Sequence, residues 1–350
     1  MKQLKSILIT FLLVSGAVAV GAQDIHFSQF YMSPLNLNPA MTGVMNCNIR
    51  LAANYRNQWA SVLRDDAYRT YSVSYDQRIP VGRYDYVGVG GTFWGDRAGS
   101  ADFATLTGKL SGSYSKQMGG TRTQANYLVV GAEAGIAQRS IDFLNLRWGQ
   151  QHDGEGGFDP GAPSGEEGFD RDNFIFADLA AGLLWFMVFD ENTNFYVGGA
   201  FHHLNQSNQS FSTQGEDLIF SRYTVHAGGE FLLNDKVGLV PGAIVMAQGP
   251  SFQVNAGTSF KFLLNQGRGE SSSFQVGGWV RLASNLDETI LTDAAILSSR
   301  FDFNNFSIGF SYDINLSPLQ AASNSQGSFE FAMMYKICGQ QNRGVYCPNF

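Results

Sequence analysis

The chain has 350 residues and a formal net charge of −7 at pH 7, with 40 glycines, 28 phenylalanines and 14 tyrosines but only 15% charged residues. This acidic balance excludes nucleic acid and an anionic lipid surface as the main partners, because both are bound by clustered lysine and arginine. The high aromatic and glycine content, with so few charges, resembles neither a helical bundle nor a disordered chain.

The first 22 residues have the features of a secretory signal peptide. Lys2 and Lys5 precede the apolar run 7–20, and small residues close the run at Ala22. Such a charged start, apolar centre and small-residue end is the pattern that signal peptidase recognises. We expect cleavage before Gln23, and no cysteine follows there to make the chain a lipoprotein.

Residues 23–46 form an irregular N-terminal segment, with Pro34 and Pro39 among many Asn and Gln and no alternation of apolar and polar residues. Two interpretations remain open. The segment either fills the lumen or periplasmic mouth of the barrel that follows it, as a plug, or presents its side chains to a periplasmic partner. The candidate partner-binding residues are Phe27, Gln29, Phe30, Tyr31, Pro34, Asn38 and Pro39.

The rest of the chain alternates with the two-residue period of β-strands. After the signal peptide no apolar run reaches the length of about 20 residues that a helix needs to cross a bilayer. In the segment 222–233, Tyr223 and Val225 share one face of a strand, whereas Thr224 and Glu230 share the other. One face suits lipid and the other suits water. The fold predicted is all-β, a transmembrane antiparallel β-barrel over residues 47–337.

About fourteen segments show this alternation, an even number that suits a closed antiparallel barrel. A soluble β-sandwich or lipocalin-like barrel is disfavoured, because aromatic residues cluster near the strand ends as interfacial girdles require. The predicted strands begin near Ile49, Thr70, Tyr86, Thr105, Asn126, Phe174, Phe195, Arg222, Val237, Phe252, Ser273, Asp293, Phe306 and Ser328.

Long and short connections alternate between these strands. The connections 139–173 and 204–221 are long, whereas 234–236 and 304–305 are tight turns. With both termini in the periplasm, the long connections face outside and the tight turns face inside. The connection 248–250 is short where this rule predicts length, and its hairpin is the weakest part of the assignment.

No catalytic residue, cofactor or metal site is predicted. His202 and His203 are adjacent on a strand, so they should point to opposite faces and cannot form one metal site by themselves. The loop 153–172 could gather Ca²⁺, since hard cations take clustered carboxylates, but it lacks ordered Ca²⁺-loop spacing and we favour a solvated loop. Neither a nucleotide fingerprint nor a nucleophile elbow is present. The carboxylates of the loop are Asp153, Glu155, Asp159, Glu166, Glu167, Asp170 and Asp172.

All three cysteines fall at the predicted periplasmic side, in a compartment that permits disulfides. Cys47 precedes the first strand, and Cys338 and Cys347 lie in a tail formed by residues 338–350. We favour the pair Cys338–Cys347, because the short loop between them contains two glycines and can bring the two Cα atoms together. The alternative joins Cys47 to either tail cysteine and would staple the first strand to the last.

Three motifs open the mature chain: QDIHFSQFY at 23–31, PLNLNPA at 34–40 and NYRNQW at 54–59. Later motifs are SYDQ at 74–77, GIAQRSIDF at 135–143, HHLNQ at 202–206, SYD at 311–313 and CPNF at 347–350. Together they resemble the PorP/SprF family of the Bacteroidetes type IX secretion system, over nearly the whole mature chain. Ser207 departs from the family pattern, in which proline is expected there.

The resemblance implies a non-catalytic accessory that helps to export or retain specific cargo proteins at the cell surface, including adhesins in gliding relatives. The implied partners are the C-terminal signal domain of the cargo, other envelope components of the type IX system and outer-membrane lipid. We expect a multi-pass outer-membrane protein with periplasmic termini. The alternatives are a passive porin or hydrophobic-solute channel, which the fold allows, and a barrel enzyme, for which no catalytic constellation is present.

Overall fold

A computed structural model describes residues 24–121, 124–154, 157–165, 170–190, 193–267, 270–284, 289–339 and 347. In these residues fourteen antiparallel strands close into one barrel, in which consecutive strands pair and β1 also pairs with β14. Every predicted strand start lies within three residues of an observed one, so the predicted fold is confirmed. The strands are β1 (Ile49–Gln58), β2 (Tyr68–Val81), β3 (Asp85–Ala98), β4 (Phe103–Gly120), β5 (Ala125–Ser140), β6 (Asn173–Asp190), β7 (Thr193–His202), β8 (Arg222–Asn234), β9 (Val237–Gln248), β10 (Ser251–Gly267), β11 (Glu270–Ser284), β12 (Ile290–Phe303), β13 (Phe306–Asn315) and β14 (Gln326–Ile337).

The helical elements are short. None of the helices in the described residues is long and apolar enough to span a membrane. They are the α-helices α1 (Pro34–Leu37), α2 (Ala60–Leu63) and α3 (Gln320–Ser323), and 3₁₀ turns at Phe30–Met32, Pro39–Met41, Arg64–Asp66, Phe143–Asn145 and Gly149–Gln151.

The strands expose an apolar face and bury a polar one. In β1, Leu51 and Tyr55 are exposed on the outside of the barrel, while Arg50, Asn54 and Arg56 point inward and are buried. An apolar exterior around a polar interior is the arrangement of a barrel that lies in lipid. The alternation in the sequence therefore distinguished the two faces correctly.

The two ends of the barrel differ in their connections. One end, called the turn end, carries tight turns such as 235–236 and 304–305, together with the start of β1 and the end of β14. The opposite end, called the loop end, carries the long connections 141–172 and 203–221. The doubtful hairpin is also correct, because β9 and β10 pair directly across the two-residue connection 249–250 at the loop end.

Residues 24–46, called the plug, run through the lumen from the loop end to the turn end. Asp24 lies at the loop end, where its N–H donates to Oε1 of Gln248 at 2.9 Å. The plug leaves the lumen at the turn end, where the N–H of Asn48 donates to the carbonyl of Ile337 at 3.0 Å. The first described residue and the end of β14 thus lie at opposite ends. The expectation that both termini share one side does not fit the described residues, because the plug crosses the barrel.

The disulfide joins the chain just before β1 to the chain just after β14. Cys47 and Cys338 are bonded, with Cα atoms 4.3 Å apart, and Cys347 is a buried free thiol. The predicted pair Cys338–Cys347 is therefore wrong, and the alternative at the seam is observed. The reason lies in the register of β1 and β14, which sets Ile49 opposite Ile337 and so brings the residues just outside both strands together.

Nonreducing peptide mapping should recover a Cys47–Cys338 peptide, with Cys347 alkylated once the chain is unfolded. The change Cys338→Ser is expected to lower the free energy of unfolding by about 2 to 4 kcal/mol, because the crosslink restricts the unfolded chain. Cys347→Ser is the control and should leave the linked peptide intact. A Cys338–Cys347 peptide from the native protein would contradict the assignment.

Candidate functional site: a plugged lumen beneath two long loops

The half of the plug near the turn end packs against an apolar lining. Met41 and Val44 are fully buried in a cluster with Tyr86, Tyr127 and Phe186. The rings of Tyr127 and Phe186 stack with centroids 5.1 Å apart. Alternation alone predicts polar residues on this inner face and misses the cluster. The sequence feature that could have predicted the cluster is the pair of continuous apolar runs 127–130 and 183–189. Such runs indicate apolar surroundings on both faces of a strand.

Two wall glycines let the plug backbone approach closely. A Cβ at Gly131 would lie 2.5 Å from backbone atoms of Ala40, and one at Gly182 would lie 1.9 Å from Oδ1 of Asn38. Asn38 uses this space to donate from Nδ2 to the carbonyl of Leu183 at 3.0 Å. The wall is therefore shaped to receive the plug, because any other residue at these glycines would displace it.

The first ionic anchor of the plug lies toward the loop end, at Ser28 and Gln29. Both backbone N–H groups donate to the carboxylate of Glu330, at 2.6 and 2.9 Å. Arg56 donates to the same carboxylate at 2.5 Å. Such charge-assisted bonds to backbone N–H groups are stronger than neutral ones, so Glu330 holds the turn of the plug in place.

A second carboxylate completes this anchor. Asp313 accepts from the hydroxyl of Ser28 at 2.9 Å, from Arg56 at 3.2 Å and from Arg281 at 2.7 Å. The two guanidinium groups balance the charges of Asp313 and Glu330, and all four side chains are buried. Charges at this depth are tolerated only when they are paired, so removing one partner is costly.

A second ionic anchor holds the plug at the turn end. Arg50 donates to Asp76 at 2.8 Å and to the carbonyl of Met41 at 3.0 Å. Asp76 in turn accepts from the N–H of Gly43 at 2.7 Å. Because neither charged side chain is more than 1% exposed, the pair depends on the plug to complete its hydrogen bonds.

The third anchor holds the start of the plug at the loop end. His203 bonds to Asp24 through Nε2 and, at 2.9 Å, to Asp178 through Nδ1. Lys109 lies 2.8 Å from Asp178 and 2.9 Å from Glu133, so the network continues along the wall. Burial opposes protonation of His203, but the charges of Asp24 and Asp178 outweigh it and raise the pKa of His203 to about 9.

The structure corrects the expected orientation of the two histidines. His202 is the last residue of β7 and points into the lumen, with Nδ1 at 3.6 Å from Glu133. His203 leaves the strand with φ of 56°, and this left-handed conformation turns its side chain into the lumen as well. Both are buried and face the lumen, whereas the sequence predicted that they point to opposite faces.

The stability of the barrel should fall in alkaline solution. A folded-state pKa near 9 lies above the ordinary value of 6.5, so the contribution of His203 is fully present below pH 6.5 and is lost as pH rises through about 9. We expect the free energy of unfolding, measured by urea titration at each pH, to fall by up to about 3 kcal/mol across this window. His203→Gln should flatten the decline, whereas His152→Gln, at an exposed position, should not. Equal pH profiles for wild type and His203→Gln would disprove the assignment.

The residues proposed from the sequence as partner-binding all lie in the plug. Six are buried and Tyr31 is half-buried, each within the lumen rather than on a surface. Their observed contacts are with the chain's own barrel, so binding of a partner by them stays a prediction. They are Phe27, Gln29, Phe30, Tyr31, Pro34, Asn38 and Pro39.

The connections 141–172 and 203–221, called the loop pair, pack on each other at the loop end. The ring of Phe211 meets that of Phe143 edge-on with centroids 5.9 Å apart. Arg171 donates to the carbonyl of Ser210 at 2.7 Å, which ties one loop to the other. The loop pair is thus a packed lobe rather than two independent loops.

The loop pair carries the acidic excess of the whole protein. Its sequence contains ten Asp and Glu against two Arg, while the chain has a net charge of −7. Among the described residues no group of three or more His, Cys, Asp or Glu could hold a metal ion. Glu155, Glu166 and Glu167 lie outside the described residues, so the solvated loop without bound Ca²⁺ stays a prediction.

Comparison with known proteins identifies the family. The family described as "Type IX secretion system membrane protein PorP/SprF" matches residues 19–335. The chain belongs to the PorP/SprF family. The resemblance carried by the sequence motifs is confirmed, and this PorP/SprF chain is a membrane protein of the type IX secretion system. No curated protein sequence matches it.

Several solved barrels are similar to this PorP/SprF chain at low identity. The Ralstonia pickettii toluene transporter TbuX shares 11% identity with a TM-score of 0.43, covering 87% of this chain and 94% of that one. A bacterial polysaccharide outer membrane secretin shares 8% identity with a TM-score of 0.38, covering 84% and 99%. The β domain of the Bordetella autotransporter BrkA shares 11% identity with a TM-score of 0.38, covering 84% and 100%. Likeness at this level carries no argument about function.

Proposed function

We propose that this protein acts in the outer membrane as a non-catalytic accessory of type IX secretion that exports or retains specific cargo proteins at the cell surface. The turn end faces the periplasm, and the loop pair faces outward. Cargo is contacted at the loop end and does not travel through the barrel. The observation that carries this proposal is the plug, which fills the lumen with residues of the same chain.

The three ionic anchors support a lumen that stays closed. Buried carboxylates of the wall are satisfied by plug backbone and by wall arginines, as at Glu330 and Asp76. Withdrawal of the plug would break the hydrogen bonds that Ser28, Gln29 and Gly43 donate to these carboxylates, and each hydrogen bond to a charged group contributes about 1.5 to 3 kcal/mol. A passive porin would instead need a lumen that is open at rest.

The loop pair supports a contact role at the opposite face of the membrane. It is packed and strongly acidic, and its surface presents Leu144, which is 94% exposed. Charge of one sign guides a partner of opposite charge and sets its orientation, while apolar side chains add contact area. A cargo C-terminal signal domain with a basic face fits this surface, and other type IX envelope components are the expected neighbours.

Gene deletion tests the role in the cell. We expect the outer membrane to remain intact while one or a few specific proteins disappear from the cell surface, because the proposal concerns selected cargo. Surface and medium fractions are compared by quantitative mass spectrometry in deletion and complemented strains. Identical protein profiles in the two strains would reject a cargo role.

Charge reversal tests the loop pair itself. The double change Glu216→Lys and Asp217→Lys should lower the amount of retained cargo about tenfold, since like charges across an interface are strongly unfavourable. Asp65→Lys with Asp66→Lys is the matched control, because these adjacent exposed acids also lie at the loop end but outside the loop pair. Equal cargo retention by both double variants would locate the contact elsewhere.

A further inference from the structure

Two small adjoining cavities lie between the loop-end half of the plug and the wall. The first, of about 10 Å³, is lined on its wall side by Thr92, His202 and Arg222. The second, of about 30 Å³, is lined there by Thr224 and again by Arg222. Both volumes count the space that the centre of a water molecule can occupy. Because Arg222 and the plug residue Ile25 line both cavities, the two lie side by side.

The polar side chains that line these cavities are buried. Thr92, His202, Arg222 and Thr224 are each at most 8% exposed. Within the described part of the chain, Oγ1 of both threonines, Nε of Arg222 and both ring nitrogens of His202 have no hydrogen-bond partner. Native proteins rarely bury polar atoms without partners, and atoms that protein groups do not satisfy are typically bound by ordered water.

The neighbouring groups are already engaged in other contacts. Nη1 of Arg222 donates to the carbonyl of Ile25 at 3.2 Å, which leaves Nε to bind a ligand. Nδ1 of His202 lies 3.6 Å from Glu133, too far for a direct hydrogen bond. Glu133 is held instead by Lys109 at 2.9 Å. A polar separation of this kind is where a bridging water is expected.

Charge and size together define the ligand. Three carboxylates and three cationic groups surround the first cavity, so it has no net charge with which to hold an ion. A neutral ligand must both donate and accept, because a neutral histidine ring presents one donor and one acceptor while Nε of arginine only donates. The cavities have room for about one and two water molecules, at about 10 to 15 Å³ each. The charged groups are Asp24, Glu133 and Asp178 against Lys109, His203 and Arg222.

We propose that these two cavities bind ordered water, about three molecules in all, which joins the loop-end half of the plug to the wall. The molecule in the first cavity accepts from Nε of Arg222 and donates to the ring of His202. Water in the second cavity binds the hydroxyl of Thr224. This bound water is separate from the three ionic anchors and independent of cargo contact at the loop pair.

Radiolytic labelling of the full chain in detergent tests for this water. A short X-ray pulse converts water into hydroxyl radicals, which oxidise the side chains beside the water from which they form. Trp94 and Phe27 line the cavities and are at most 8% exposed, so bound water should oxidise them where bulk solvent hardly reaches. Phe186 is buried in the apolar cluster and should be oxidised at least about fivefold more slowly than Phe27. Equal rates at the two phenylalanines would overturn the proposal.

Two threonine variants provide a matched pair at the first cavity. Thr92→Val keeps the shape of the side chain and removes a hydroxyl that has no partner in the described residues, so the rate of Trp94 oxidation should fall about threefold. Thr70→Val is the control on the inner face of the neighbouring strand, because its hydroxyl already donates to Asp96 at 2.6 Å. Trp94 should then be oxidised as in wild type. The same rate in both variants would contradict water at Thr92.

A third variant should empty the first cavity of water. His202→Phe keeps a ring of similar size and removes two of the atoms that lack a partner. We expect the oxidation of Trp94 to fall to the level of Phe186, in protein whose folding is checked by gel mobility of unheated samples. Wild-type oxidation of Trp94 in folded His202→Phe protein would overturn the proposal, and Thr92→Val decides the question if His202→Phe does not fold.

Discussion

Deletion of residues 24–46 is expected to turn a closed barrel into a conducting one. The wild-type protein in a planar bilayer should show no steady conductance, whereas the deletion variant should show stable, discrete steps. The reason is that fourteen strands enclose a lumen wider than their own side chains fill, and the plug supplies the missing volume. The Cys47–Cys338 crosslink remains in this variant and keeps the seam closed.

The wall charges do not prevent such a barrel from folding. Arg50, Asp76 and Glu330 lose their plug partners, but an open lumen admits water that solvates them. Shortening the loop pair is the control, because it leaves the plug in place and should not open the lumen. Steady conductance of the wild-type protein at the level of the deletion variant would restore the passive-channel alternative.

Among single changes to the wall residues that hold the plug, loss of Arg56 in β1 should lower the free energy of unfolding the most. Arg56→Met leaves Glu330 and Asp313 buried with one guanidinium between them, in place of two. Removing one partner of a buried ionic cluster costs about 3 to 5 kcal/mol, so the urea midpoint should fall substantially. Unfolding is followed by tryptophan fluorescence and by gel mobility of heated and unheated samples.

The control for this prediction is an exposed ion pair of the same chemistry. Arg97 pairs with Asp102 near the loop end, and its side chain is 55% exposed. Because water screens such pairs, Arg97→Met should change the free energy of unfolding by no more than about 1 kcal/mol. Similar midpoints for the two variants would show that the plug is not anchored by the Arg56 cluster.

Strand positions could be predicted because they depend on local information. Alternation with a period of two is a property of neighbouring residues, and a barrel in lipid requires it in every strand. The predicted starts of β1, β8, β9 and β13 are therefore the observed ones. Errors of two or three residues arise where the strands extend beyond the segment of clear alternation, as in β11 and β12.

The contacts of the plug could not be predicted in the same way. Ser28 and Glu330 are 302 residues apart in the chain, and nothing near either residue indicates the other. The orientation of His203 depends on a single positive φ at the end of β7, which no periodicity reveals. The seven candidate residues of the N-terminal segment were proposed from the sequence to bind a partner, which stays a prediction, and their location inside the lumen is seen only in the closed barrel.

The sequence by itself determined the fourteen strands, the two faces of each strand and the PorP/SprF family, because all of these depend on local patterns and motifs. The export signal predicted for residues 1–22 lies outside the described residues. Only the tertiary structure decided that the plug crosses the lumen, that Cys47 rather than Cys347 pairs with Cys338, and that the pairing of β8 with β9 is interrupted beside Pro241. Barrel closure is the physical reason. It brings together the first and last strands and surrounds the N-terminal segment with residues from the entire chain. These residues are too far apart in the sequence for a local pattern to show that they meet.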